Sequence, residues 1–589
     1  MAKKHPIARA TQQHAPARST HAPVSKAATP PSRWPVIAAL AAALAVVLWA
    51  YGPALNGPFL FDDATLPFAL PGFADPLIEW IRSDRPVLMF TYWLNARISG
   101  SDPYSYHVFN VAIHCVTSAL VFAIVRRFLE WSGVEAQRRL LLAAFSGLLF
   151  LLHPAQSEAV AYLAGRSEAL SVMLAFAALA VFIYRRQTQV GWRTALAVLI
   201  LFAASLLTKQ QTIALPALLL LTDFWWNPGF SFQGIRANWK LYAPLALGAA
   251  AGIAFFWRLM TTATTAGFGL KDLAWYQYFF TECRALFVYI REFVLPFGLT
   301  ADWDFPISKT ILDRGAVFGL IALLALAATA WHYRRRYPLA AFGFFAFLVA
   351  MAPTSSILPI RDPIAERRLY FGILGLIMAA AGLLSRVKLP RATLAAAGGA
   401  VLLIFAVATH ARAEVWGNAV ALWQDTAEKS PDKSRAHFQL ASAYADAGQC
   451  DLAAAEYERT SRFPPIDYRR TDLLVDWGLA LDCAGQAQPA LAKLREAASI
   501  EPTAHVYTQI AKVYGEHSQW GEAQDALAEA QKIDASFPAI YAYKGIIDYQ
   551  TNRFAEAIAE YRHALALDPT LEPARQGLAA AQRRLAAGR

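Results

Sequence analysis

The chain has 589 residues, of which 56% are hydrophobic and only 16% charged, and its mean hydropathy is +0.32. Soluble domains carry about a quarter charged residues, so the composition excludes an ordinary soluble enzyme and points to a polytopic membrane protein. The formal charge of +11 does not make a nucleic-acid binder, because the arginines lie in short loops between apolar runs, where they orient helices in a membrane.

Residues 1–33 hold Ala, Thr, Pro, His and basic residues but no acid. Such a stretch cannot bury a core and is expected to be a disordered cytoplasmic tail. An apolar run from Trp34 to Tyr51 follows and ends in Gly52-Pro53. It is long enough to span and lacks the build of a cleaved signal, so it reads as a retained first helix with the N-terminus in the cytoplasm. Further apolar runs begin near 107, 139, 167, 191, 211, 240, 280, 315, 338, 369 and 391. Basic clusters punctuate them at Arg126-Arg127, Arg138-Arg139, Arg185-Arg186, Arg236 with Lys240, Arg334 to Arg336, and Arg386 with Lys388 and Arg391. All of these fall on the cytoplasmic side if one segment, 280–297 with Glu282, Arg284, Arg291 and Glu292, does not cross. The expectation is about 11 crossings, with that segment re-entrant or lying on the outer surface and the C-terminus extracytoplasmic.

In this topology several polar stretches converge on the outer face. Asp62-Asp63 lies just after the first run, in Asn56-Gly-Pro-Phe-Leu-Phe-Asp62-Asp63. Ionised groups beside a bilayer are costly and so mark candidate functional sites. One carboxylate can take the proton from an attacking hydroxyl while its neighbour orients it or holds a divalent cation; the ordinary alternative is a helix N-cap. The next stretch runs from His153 through Glu158 and Tyr162 to Arg166. Glu158, Tyr162 and Arg166 recur every four residues, which on one helix would form a face with a structural Glu158–Arg166 pair. His153 and Glu158 are not spaced as helical zinc ligands. The third stretch is Glu366-Arg367-Arg368 at the start of an apolar helix. Arginine forks and a helix N-terminus suit phosphate oxygens, whereas interfacial snorkelling is the plain reading. Lys209 and Arg85 are further lone cations on this side, and the Asp302-Trp-Asp304 loop mixes carboxylates with aromatics as a sugar-binding shelf would, although a plain interfacial loop with a Trp anchor is the favoured reading.

After about Ala411 the apolar runs stop and an internal repeat begins. Ala453, Ala490, Ala523 and Ala557 head similar helices, each followed four residues on by Tyr457, Leu494, Leu527 or Tyr561. Ala441, Gly478, Ala511 and Gly545 supply a small residue where paired helices would cross. The period matches tetratricopeptide repeats, here spanning 434–570 with a polar capping helix near 572–587. Such solenoids offer a concave groove for peptides or proteins. Cys450 and Cys483 fall near the turns of neighbouring repeats, either as a disulfide or as two partly buried thiols. Cys115 and Cys283 read as packing residues.

Taken in order, Phe61-Asp-Asp63, Arg85-Pro86, His153-Pro…Glu158…Gly165-Arg166, Thr208-Lys209, Pro296-Phe-Gly-Leu and Glu366-Arg367-Arg368-Leu-Tyr370, followed by the repeats, resemble one family. This is the transmembrane and tetratricopeptide-repeat O-mannosyltransferases with their bacterial relatives, of the GT-C glycosyltransferase fold. The resemblance implies an all-α protein: residues 34–411 form a GT-C-type membrane bundle, and residues 412–589 form an extracytoplasmic repeat domain. It implies a donor sugar on a polyprenyl phosphate and a protein or peptide acceptor met through the repeats. Asp62 or Asp63 would be catalytic, Asp62 preferred as the first acid of the pair. Arg367, Arg166, Lys209 and Arg368 would hold the donor phosphate, with His153, Glu158, Glu366 and Arg85 in support. The setting would be a bacterial inner membrane, with lipids and no nucleic acid as partners. Transfer to an envelope lipid or glycan, and a non-catalytic membrane scaffold, are the alternatives.

Overall fold

In the computed structural model, residues 34–69, 76–185, 187–262, 267–268, 270, 272–464 and 468–587 are described. The tail expected over 1–33 lies outside them, as does Arg186. The chain divides into two compact units between Ala45 and Val46, and the cavity and the repeats belong to the second.

Every regular element among the described residues is helical. The membrane half runs through α1 (Trp34–Tyr51), α2 (Pro86–Ser99), α3 (Pro103–Trp131), α4 (Ala136–Leu151), α5 (Ser157–Ala161) and α6 (Arg166–Ile183). It continues with α7 (Trp192–Leu206), α8 (Leu215–Trp226), α9 (Trp239–Thr262), α10 (Trp275–Val294) and α11 (Ala316–His332). The last of this half are α12 (Pro338–Met351), α13 (Leu369–Leu384) and α14 (Arg391–Trp416). Among the described residues, six helices are long and apolar enough to cross a membrane, or seven if the bent pair Ala136–Leu151 and Pro154–Ala161 is one span. The apolar α7 and α12 are shorter. The count of about 11 inferred from hydropathy therefore includes weaker runs. The 280–297 run falls in α10, which is not among the six and buries Glu282 and Glu292 on one side.

Small residues let the membrane helices approach closely. A Cβ added at Gly343 in α12 would lie 2.4 Å from the Ala379 nitrogen, and one at Gly375 in α13 2.4 Å from that of Phe347. The two backbones touch there, and neither position admits a side chain.

A connecting helix α15 (Ala419–Lys429) leads into four helix pairs. These are α16 and α17 (Ser434–Asp446, Cys450–Thr460), α18 and α19 (Arg470–Cys483, Ala487–Ile500), α20 and α21 (Ala504–Glu516, Trp520–Ile533), and α22 and α23 (Pro538–Gln550, Phe554–Leu567), with α24 (Glu572–Ala587) at the end. Cys450 and Cys483 are joined by a disulfide.

Four apolar cores organise the described residues of the second unit, the smallest of them around Phe68, Trp80, Tyr92 and Tyr106. One fills the helix bundle and one the solenoid. The third lies at their junction, where Leu60, Tyr162, Trp416, Trp423 and Leu440 meet. It brings the loop after α1, the break after α5 and the first repeat together.

Candidate active site

The two neighbouring acids after α1 part company. Residues 61–65 form a single 3-10 turn entered through Phe61 with φ 50°. Asp63 points inward, 1% exposed. Its Oδ2 accepts the Leu60 N–H at 3.0 Å and its Oδ1 the Ala164 N–H at 2.7 Å. Burial pushes this carboxyl up to about 7, against the two donated N–H groups at Leu60 and Ala164 that favour its charged form. Asp63 is a tie between two loops. Asp62 is exposed and faces a cavity of about 1370 Å³. Its N–H donates to the Tyr162 hydroxyl at 3.0 Å, and its carboxylate has no hydrogen-bond or ion-pair partner among the described residues.

The helix expected through Glu158, Tyr162 and Arg166 does not form. It stops at Ala161, Tyr162 turns to ψ 126°, and a 3-10 turn over Leu163–Gly165 leads into α6. Gly165 allows this return, since a Cβ there would sit 2.7 Å from the Glu158 carbonyl oxygen. The break separates the three side chains. Glu158 accepts both the backbone N–H of Arg367, at 2.8 Å, and its guanidinium. Tyr162 stacks on Trp416 and lines the cavity.

Arg166 goes elsewhere, which corrects its assignment to the phosphate group. Its side chain is fully buried and does not line the cavity. It donates to Asn110 Oδ1 and Asn95 Oδ1, each at 2.7 Å, and to the Tyr106 carbonyl at 3.0 Å, with Tyr92 and Phe109 against its guanidinium face. It fastens α2 and α3 to α6. Each nitrogen of this buried guanidinium donates within the bundle, and none lines the cavity.

The other cations remain at the cavity. Arg367 lies between Glu158 and Glu168, with Nε 3.5 Å from Glu168 Oε1. Lys209 pairs with the same Glu168 and donates to Ser167 Oγ at 3.2 Å. Burial lowers the Lys209 ammonium to about 8, although Glu168 pulls the other way. Arg85 lines the cavity at the start of α2. Arg368 also lines it, but its guanidinium is spent on the Pro363 and Asp362 carbonyls, each at 2.7 Å. His153 and Glu366 lie behind the wall. His153 is buried, caps Ala155 N–H and meets the Phe293 carbonyl at 3.0 Å, and Glu366 accepts the Thr300 N–H.

The opposite wall comes from the repeats, through Arg435, Phe438, Gln439 and Tyr468. Asp302 is not a shelf for sugar. It is 5% exposed and paired with Arg435 and Lys433, and Asp362 joins the same pairs. Sequence reasoning gave Tyr162 no place at the site and missed this repeat wall. The clue to the wall was charge: Lys433 and Arg435 stand at the start of the first repeat, while Asp302 and Asp362 occupy two loops between apolar runs. Among the described residues no three His, Cys, Asp or Glu side chains are grouped to hold a metal ion.

Residues 538–571 match the tetratricopeptide repeat model. The chain is 22% identical over 442 residues to a protein O-mannosyl-transferase of Caenorhabditis elegans, covering 70% of this chain and 61% of that one. A protein O-mannosyl-transferase of Homo sapiens is 24% identical over 70% of this chain and 54% of its own. Another, of Drosophila melanogaster, is 34% identical over 31% of this chain and 22% of its own. The chain resembles the protein O-mannosyl-transferases. It spans about half to three-fifths of the first and second of these relatives. Both the repeats and the membrane half fall within what the resemblance implied.

Proposed function

We propose that this chain is a membrane glycosyltransferase that moves a monosaccharide from a polyprenyl-phosphate carrier to an extracytoplasmic acceptor, a Ser or Thr hydroxyl of a protein. The observation that carries the reading is that the unpartnered Asp62 carboxylate opens onto the same cavity as Arg367, Lys209 and the first repeats. In this reading the Asp62 carboxylate accepts the acceptor's hydroxyl proton as the oxygen bonds to the sugar's anomeric carbon. The carbon–oxygen bond to phosphate breaks, and the phosphate leaves with the electron pair beside the cationic groups. The apolar lining at Met89, Ile213, Ile357 and Leu358 suits the prenyl chain. The repeats bring the acceptor to the open side, with the N-terminus cytoplasmic and residues 412–589 outside a bacterial inner membrane. Likeness to proteins named as O-mannosyl-transferases supports the sugar-transfer chemistry.

The test is quantitative mass spectrometry of extracytoplasmic proteins from cells carrying the protein or its Asp62→Asn variant at equal membrane abundance. Hexose-sized additions lost in the variant support the reading. A loss confined to envelope lipids or glycans redirects it to those acceptors, and no change in either leaves a scaffold.

A further inference from the structure

The cations of the cavity are not equivalent. Arg367 and Lys209 are already matched by Glu158 and Glu168. Arg85 lines the same cavity and is not matched in this way. Its side chain makes no hydrogen bond or ion pair among the described residues. It does feel Lys209 as a like charge, and that proximity opposes protonation of the lysine. A lone guanidinium beside a second cation is unfavourable unless an anion joins them.

Two further features point to an anion. Arg85 immediately precedes α2, whose first two turns line the cavity at Leu88, Met89 and Tyr92. The start of α2 is tied to the Lys209 loop by the Val87 N–H, which donates to the Leu207 carbonyl at 3.3 Å. In that loop Gln211 is 7% exposed and lines the cavity, yet its Nε2 has no hydrogen-bond partner. A buried amide donor left without a partner is costly, so a ligand oxygen is its natural complement. A guanidinium and an amide N–H together form a phosphate-binding pair.

We propose that Arg85 and Gln211 form the anion subsite of this cavity and bear the phosphate directly, while Arg367 and Lys209, held on their carboxylates, frame it. The phosphate is the headgroup of a prenyl carrier or a free phosphate ion. The first source rests on the proposed function, and the anion subsite itself does not.

The experiment uses the purified full-length protein in nanodiscs, with geranylgeranyl phosphate, geranylgeraniol and inorganic phosphate as probes. Affinities are measured for the wild type, Arg85→Gln, Gln211→Leu and a control, Arg82→Gln, which alters an exposed pair with Glu79 outside the cavity. Arg85→Gln is expected to weaken prenyl phosphate binding roughly ten- to a hundredfold. Gln211→Leu should weaken it less, and neither should alter binding of the alcohol. Equal affinity in Arg85→Gln and wild type overturns the subsite, because the wild type then binds prenyl phosphate by other groups. Inorganic phosphate bound through Arg85 without prenyl phosphate binding keeps the subsite and overturns the lipid donor. A wild type that binds neither phosphate overturns both.

Discussion

Arg435 of the first repeat grips Asp302 of the membrane half with two nitrogens, Nε to Oδ2 at 2.7 Å and Nη2 to Oδ1 at 2.6 Å. The same Nη2 reaches Asp362 Oδ2 at 3.0 Å, and Lys433 Nζ reaches Asp362 Oδ1 at 3.1 Å. The Arg435 guanidinium also lies 5.6 Å from the ring centre of Phe61, the residue before Asp62. This latch holds the repeats over the cavity and braces the loop that carries the candidate base.

Arg435→Gln should therefore destabilise the junction by about 1–3 kcal/mol while leaving both cores folded. Hydrogen exchange should rise at residues 299–304 and 431–438. Asp302→Asn should have a similar effect, and the double variant should cost less than the two changes added together.

The latch should also have a defined acid limit. Burial alone would raise the Asp362 carboxyl, but Arg435 and Lys433 reverse this and hold it well below its ordinary value. A carboxylate lowered by folding contributes stability that is present above its unfolded value and is lost as pH falls through the folded one. Exchange at the junction, corrected for the intrinsic rate at each pH, should stay flat from neutral pH down to the ordinary carboxylate range and rise only in stronger acid. Asp362→Asn should remove that acid-dependent rise.

The adjacent acids should separate cleanly. Asp62→Asn should abolish transfer with little change in thermal stability, since its carboxylate supports no internal bond. Asp63→Asn should lose about 1–3 kcal/mol of stability, because an amide cannot accept from both Leu60 and Ala164. Thermal melts of both variants, run beside the mass-spectrometric transfer assay, check this.

A second titration belongs to the repeats. Burial, followed by the neighbouring Asp472 and Asp446, pushes the Asp476 carboxyl from 3.8 to about 7. The folded state then keeps a proton that the unfolded chain gives up, so local stability falls as pH rises between those values and levels off above them. Protection of α18 from hydrogen exchange, taken relative to the intrinsic rate at each pH, should be greater at pH 5 than at pH 8. Asp476→Asn should remove the difference and slow exchange at the higher pH.

The Cys450–Cys483 disulfide closes a sequence separation of 33 residues. Loop-closure entropy assigns it about 3–4 kcal/mol. Mild reduction should lower the melting temperature of the repeats, and Cys483→Ser should leave Cys450 open to a thiol reagent.

The repeats were legible because their period is local. Ala453, Ala490, Ala523 and Ala557 are all fully buried, and their large partners four residues on are at most 2% exposed. Gly478 and Gly545 do sit at the crossings, where a Cβ would come within 2.8 Å of Leu494 and 2.7 Å of Tyr561. The candidate site was legible in its parts but not in its pairings. A four-residue spacing implied a helical face for Arg166, and the close return at Gly165, which breaks that face, carries no periodic signal. Arg166 looked like the phosphate-facing arginines because burial is a property of the assembled bundle. Asp302 and Arg435 stand 133 positions apart, beyond any sequence window.

The cavity's walls also fix an order of events in the making of the protein. Asp62 leaves the ribosome well before Arg435, where the wall facing it begins. In the proposed topology that wall must be synthesised, carried across the membrane and latched before the site is closed. A chain halted before the first repeat would hold its candidate base, and most of its cations, in a half-built basin.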